Sequence, residues 1–247
     1  MMFSNKFKFL IFILLGVIYA GGGGAKDQSV SLLHRGRDMP MLQFDNNILV
    51  TENYISSKNR KINIYDKDSK AFMYSVESPN PTSGDDFGNS IFIYEKFMIV
   101  GSPGAYNGNG AVYLYEYSNG NWIFNYEIKN PNENHSGFAQ KFGSKVKIND
   151  NFIIVSSPFD DNGKVYFFSF NDINNPKLSF TVSPKVHHHM DNSKDPETIQ
   201  KFEFGIDFDV REDEILIGSN NNIAYYFNMS KLNHSFDVSS YAIHYDH

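Results

Sequence analysis

Three consecutive histidines, His187-His188-His189, followed by Asp191 and Asp195, are the densest cluster of metal-ligating side chains in this 247-residue chain. Imidazole suits zinc, copper or nickel, so His187 and His189 head the candidate metal ligands. Neighbouring residues on an extended chain point to opposite faces, so these rings converge only where the segment turns. A solvated polar loop is the plainer reading. A second group, Asp160-Asp161-Asn162, offers oxygen ligands of the kind calcium takes, although turn formation alone explains it. A third, Tyr106, Asn107 and Asn109, sets an aromatic ring and two amides in the glycine-rich stretch from Gly104 to Gly110. Loops of that composition suit contact with a protein or carbohydrate ligand.

Catalytic signatures do not accompany these clusters. The chain has no Gly-x-Ser-x-Gly elbow, no Walker-type loop and no His-Glu-x-x-His pattern. Cys is absent altogether, which removes disulfide frameworks, thiol nucleophiles and Cys-ligated metal centres. No catalytic or cofactor-binding residue is assigned. Lys and Arg number 22 against 28 Asp and Glu, a net charge of −6. A phosphate-backbone binder would need a basic face, so nucleic acid is not expected as a partner.

What must position these residues is an apolar, aromatic chain. Hydrophobic residues make up 41% and aromatics 16% of it, which excludes a disordered protein. Part of that apolar content lies at the start. Lys6 and Lys8 precede an uncharged run from Phe9 to Ile18, then Tyr19-Ala20 and four glycines. A basic start, a short apolar stretch and a small-residue site read as a secretory signal peptide over residues 1–20, with cleavage after Ala20 or as late as Ala25. The run is shorter than the roughly 17–25 residues of a spanning helix, so the mature form is expected to have no membrane span. The expected location is secreted or extracellular, periplasmic if the source is bacterial.

The rest of the chain repeats. Phe87-Gly88-Asn89-Ser90-Ile91, Phe142-Gly143-Ser144-Lys145-Val146 and Phe204-Gly205-Ile206-Asp207-Phe208 each open a block, with spacings of 55 and 62 residues. Each continues with an apolar segment (Phe97 to Val100, Phe152 to Val155, Ile215 to Ile217) and a second one (Ala111 to Tyr115, Val165 to Phe168, Ile223 to Phe227). A weaker copy from Met41 to Tyr65 precedes them. Fourth segments are Ala71 to Val76, Trp122 to Ile128, Lys177 to Val182 and Phe236 to Ile243. The segments are short and rich in Ile, Val, Phe and Tyr, several alternate with period two, and Asn-Gly, Asp and Pro punctuate them. This is the pattern of about sixteen short strands. Units at 39–80, 85–131, 139–183 and 202–243 give an all-β fold, a β-propeller of about four four-stranded blades spanning residues 26–247.

The motif Phe-Gly-x-Ser-[Ile/Val], with Val100-Gly101-Ser102-Pro103, Gly110-Ala111-Val112-Tyr113-Leu114-Tyr115 and Gly120-Asn121-Trp122, resembles the FG-GAP repeat in its bacterial-type form. That repeat builds the propeller of integrin α-subunits. The resemblance implies that Phe87, Phe142 and Phe204 pack between blades and that the following glycines allow close backbone approach. Some FG-GAP repeats also carry a calcium loop between the first two strands of a blade. The corresponding connections here, Tyr94-Glu95-Lys96, Asn149-Asp150-Asn151 and Arg211 to Glu214, lack that loop's carboxylates and glycine. Integrin-type propellers have seven blades, and four are offered here.

The function expected is a non-enzymatic binding or adhesion module that engages a protein or carbohydrate through the loops of one propeller face, with no cofactor. The alternative is an enzyme or metal-binding protein with a site over the channel, formed by the His187 to Asp195 insertion. Four units either close on themselves or form an arc that pairs with a second copy. The sequons at Asn134, Asn228 and Asn233 mark glycosylation sites in a eukaryotic source.

Overall fold

A computed structural model describes residues 41–51, 60–132, 139–169, 171, 173–184, 203–220, 223–231, 236–237 and 242–244. The signal segment, His187, His188, His189, Asp191, Asp195, Asn134 and Asn233 lie outside the described residues.

Four meandering antiparallel sheets follow one another along the chain. The first joins Met41–Phe44 (β1), Asn47–Thr51 (β2), Lys61–Asp66 (β3) and Phe72–Glu77 (β4). The second joins Ser90–Tyr94 (β5), Phe97–Ser102 (β6), Ala111–Ser118 (β7) and Asn121–Lys129 (β8). The third has Val146–Ile148 (β9), Phe152–Ser157 (β10), Lys164–Ser169 (β11) and Lys177–Ser183 (β12). The fourth has Asp207–Arg211 (β13), Glu214–Gly218 (β14) and Ile223–Asn228 (β15). The stretch expected as one last strand is divided. Phe236–Asp237 (β16) pairs parallel with the outer edge of β12, and Ala242–His244 (β17) completes the fourth sheet beside β15. An outer strand leaves a row of unpaired backbone groups, and β16 covers part of that edge.

The strands form where the sequence alternates or runs apolar, and left-handed residues close the hairpins. Asn119 (φ 51°) and Gly120 (φ 83°) join β7 to β8, the conformation Asn-Gly adopts in a two-residue turn. In three sheets the pairing of third and fourth strands shifts at the same position, between Ile64/Tyr65, Leu114/Tyr115 and Phe167/Phe168. A bulge recurring at one place in the unit is a feature of the repeat.

The Phe-Gly pairs do not open the first strands, as the segmentation of the sequence suggests. They lie in the preceding turns, with Gly88, Gly143 and Gly205 all at positive φ. That turn points each phenylalanine between sheets. Phe87 packs with Leu49 and Ile62 of the first sheet and Tyr113 of the second. Phe142 lies among Ile99 and Leu114 of the second sheet and Val146 and Tyr166 of the third. Phe204 joins Ile154 and Phe167 to Ile215 and Tyr225 of the fourth. All three are fully buried. Pro103 and Pro158 follow the ends of β6 and β10. Among the described residues no helix is long and apolar enough to cross a membrane.

Candidate functional site

The connections after second and fourth strands gather at one end of the sheets. Gly104 N–H donates to Asp85 O (2.9 Å), and Phe159 N–H donates to Gln140 O (3.3 Å). Asn130 Nδ2 donates to Asn109 O (3.2 Å), Asn109 Oδ1 (3.1 Å) and Gln140 Oε1 (2.6 Å). Short hairpins such as Glu95-Lys96 and Asn149 to Asn151 occupy the other end, where the Tyr94 hydroxyl meets the Asp150 carboxylate. The structure thus brings Tyr106, Asn107, Asn109, Asp160, Asp161 and Asn162 to the same end.

Tyr106 stands at the rim between the first two sheets. It and Asn107 adopt left-handed backbone (φ 52° and 59°) inside the Ala105–Gly108 turn. Gly110 N–H donates to Ala105 O (2.8 Å), which locks the turn. Strain of this kind is tolerated where the surroundings fix it, and here it turns the Tyr106 ring outward. The side chain is 41% exposed. Its hydroxyl donates to Glu127 Oε1 (2.6 Å), and Asn80 Nδ2 donates to Glu127 Oε2 (3.3 Å). Lys129 Nζ lies 5.1 Å from the Tyr106 ring centroid, within cation–π range. Desolvation and the Glu127 carboxylate push the Tyr106 phenol up to about 12. An exposed ring, a held carboxylate, an amide and an ammonium make a surface suited to recognition. Nothing in it activates a nucleophile.

Beneath this rim lie buried polar groups. Glu127 is directly opposite Tyr113 in the β7–β8 pairing, so both face the first sheet. Ser78, Asp85 and Tyr113 are buried together, with Ser78 within reach of both the Asp85 carboxyl and the Tyr113 hydroxyl. Asp85 Oδ1 accepts the Phe87 N–H (3.2 Å), which fixes the turn ahead of Phe-Gly. Burial pushes the Asp85 carboxyl up, and the Phe87 backbone pulls it partly back. Burial likewise raises the Tyr113 phenol.

The Asp160 group has the opposite character. Asp160 is fully buried. Its Oδ1 accepts from Asn132 Nδ2 (2.7 Å) and Lys164 Nζ (2.9 Å), and its Oδ2 accepts from the Tyr166 hydroxyl. Lys164 Nζ also reaches Asp161 Oδ2 (2.7 Å), while Asn162 O accepts the Phe204 N–H (3.0 Å). An ammonium therefore sits between the two carboxylates that the sequence offers as metal ligands. Burial alone would lower Lys164, but its bonds to Asp161 and Asp160 hold it above the usual lysine value. Among the described residues no three acidic or imidazole side chains converge as a metal centre would require. Asp160→Ala should cost about 1–3 kcal/mol, because Tyr166, Asn132 and Lys164 lose their shared acceptor. A chemical denaturation midpoint unchanged from the parent would refute the network's contribution.

The sequence pointed to Tyr106 by its loop and to the connection starting at Asn130 on the same face, but not to Ser78, Asn80, Asp85, Tyr113, Glu127 and Gln140. A signal was present in the repeat itself. A polar residue followed by Pro stands at or just after the end of the outer strand in the first three sheets (Ser78-Pro79, Asn130-Pro131, Ser183-Pro184), and another polar residue sits two before Phe-Gly in two repeats (Asp85, Gln140).

No protein-family model matches the chain. No curated protein matches its sequence. The structure is similar to that of the Dos1 propeller, with TM-score 0.50 and 10% identity over 76% of this chain. The fold is a β-propeller. The aligned part spans 41% of the length of the Dos1 chain. Each antiparallel sheet is accordingly a blade, and the clustered connections form one face of the propeller, with Tyr106 at the junction of its first two blades.

Proposed function

We propose that the chain is a secreted, non-enzymatic binding module of the FG-GAP kind, which engages a protein or carbohydrate through the propeller face bearing Tyr106. One observation supports this above the others. The only described tyrosine exposed by more than a third, Tyr106, is held outward by strained backbone and ringed by Glu127, Asn80 and Lys129. Tyrosine offers large contact area at small entropic cost and is common at binding hot spots. Secretion rests on the charged and apolar start of the chain, and the reading invokes no cofactor or metal.

The test is a glycan and cell-surface protein screen with the exported protein, followed by two substitutions. Tyr106→Ala and Glu127→Ala should each weaken the identified interaction at least about tenfold, since hot-spot truncations cost more than about 1–2 kcal/mol. Their melting temperatures should stay near the parent's, because both side chains sit at the rim. Lys96→Ala, at the opposite face, should bind normally. Full binding by both rim variants would move the function to another surface.

A further inference from the structure

Every blade has two faces, and the strand pairings show which residues are equivalent on each. The turn between first and second strands has the same length in all four sheets, so second-strand positions match one for one. Ile48, Met98, Ile153 and Ile215 are thereby equivalent, and so are Val50, Val100, Val155 and Ile217. Opposite the first set on the third strand stand Tyr65, Tyr115, Phe168 and Phe227. In the last three blades these residues face the preceding blade. Met98, Val100 and Tyr115 enter the core shared with the first blade, and Ile153, Val155 and Phe168 the core shared with the second. Ile215, Ile217 and Phe227 do the same against the third. All are at most 4% exposed. In the first blade, by contrast, Ile48, Val50 and Tyr65 are only half-buried. Burial therefore alternates along β2, whereas β6 and β10 are covered on both sides.

The fourth blade ends the series in the complementary way. On the other face of each blade, Leu49, Ile99 and Ile154 point to the following blade and are fully buried. So are Ile62, Val112 and Val165 on the third strands. Their counterparts in the fourth blade are Leu216 and Ala224. Leu216 is covered, but Ala224 is half-buried, as is Tyr226 opposite Leu216. The three core clusters join the blades in chain order, and among the described residues none joins the fourth blade to the first. The superposition on the Dos1 propeller places 76% of this chain on 41% of that one, as an arc of a larger ring would.

We propose that two copies of this chain close one ring, the fourth blade of each packing against the first blade of the other. The face that each end lacks is of the kind that the other end offers, and the three inner junctions show how the two kinds pack. The two faces stand at opposite ends of the arc, so a second copy turned by half a revolution supplies both at once. A head-to-tail contact closes into a ring where the rotation permits and otherwise grows into a filament. Two copies give eight blades, within the range of about four to eight that propellers show. No Phe-Gly pair precedes the first blade, and Asn63 stands there at the position of Tyr113, Tyr166 and Tyr225. The closing junction is thus more polar than the inner ones, as suits subunits that also exist apart. Such a ring carries two Tyr106 rims on one face and would hold a surface with repeated ligands bivalently. The ring itself does not depend on the binding-face reading.

The chain has no cysteine, which makes cross-linking a direct test. Exported protein carrying both Val50→Cys and Ala224→Cys is treated with a short bismaleimide and compared with each single variant by denaturing gel and intact mass. The double variant should give a product of two chains. Each single variant should remain one chain, because unlike faces meet. Sedimentation velocity of the parent should give twice the chain mass. Ile48→Glu should halve it, with a far-ultraviolet spectrum still that of β-structure. A double variant bridged within one chain would show that four blades close on themselves, and would overturn the proposal. Two-chain products from a single variant, which mean that like faces meet, would overturn it as well. So would a ladder of many chains, the mark of a filament, or a parent of single-chain mass whose double variant does not cross-link.

Discussion

Phe142→Ala will lower folding stability by about 3–5 kcal/mol, the usual cost of truncating a well-packed aromatic. The ring is fully buried and stands edge-on to Tyr166 (5.5 Å between centroids) and Phe168 (6.1 Å). Its environment combines side chains of the second and third blades, so the substitution removes the piece that both share. A cavity there has no mobile side to collapse, because β6, β7 and β10 are held by their own ladders. Urea denaturation followed by tyrosine fluorescence measures the loss. A midpoint equal to the parent's would show that Phe142 is not part of a shared core.

Gly110→Ala will cost on the order of 4 kcal/mol or more, in the range reserved for backbone collisions and similar defects. A Cβ at Gly110 would lie 2.0 Å from Phe142 O and 2.7 Å from Phe142 N, and the residue sits at φ +92°. Both obstacles are main chain, which cannot rotate away as a side chain could. The conformation adds a further penalty of roughly 1–2 kcal/mol for any L side chain. The backbones cross here for a reason. Phe142 N–H donates to Asn109 O (3.2 Å), so the start of a third strand clasps the Phe-Gly turn of the next blade. The same contact recurs one blade on, where a Cβ at Gly163 would lie 2.1 Å from Phe204 O. Gly163→Ala should therefore behave alike, whereas Gly120→Ala, with nothing within 4 Å, should lose only its turn preference. Circular dichroism melts of the three variants measure the ranking. Equal melting temperatures would refute the clasp.

The repeat spacing carried the strands and their order, because each unit is specified by local alternation and turn chemistry. It also pointed to Phe87, Phe142 and Phe204 as inter-blade residues. The role of Gly110 was hidden, since its constraint comes from a backbone more than thirty positions away. The division of the last strand was equally hidden. The pairing of β16 depends on the free edge of β12, which no local pattern announces. At the candidate site, Tyr106 was visible as an aromatic in a glycine-rich loop, but its partners Asn80 and Glu127 come from two other connections and strands. Ser78, Asp85 and Tyr113 looked ordinary one by one. Only the approach of two blades brings them together as one buried polar cluster.

Recognition is expected on the propeller face that carries Tyr106. Hydrogen–deuterium exchange of the full chain, with and without the partner found by the glycan and cell-surface screen, tests it directly. Binding is predicted to slow exchange in residues 104–110, 78–82 and 130–132, with the hairpins at 95–96, 119–120 and 149–151 unchanged. Protection confined to those hairpins, with 104–110 exchanging as in the free protein, would contradict it.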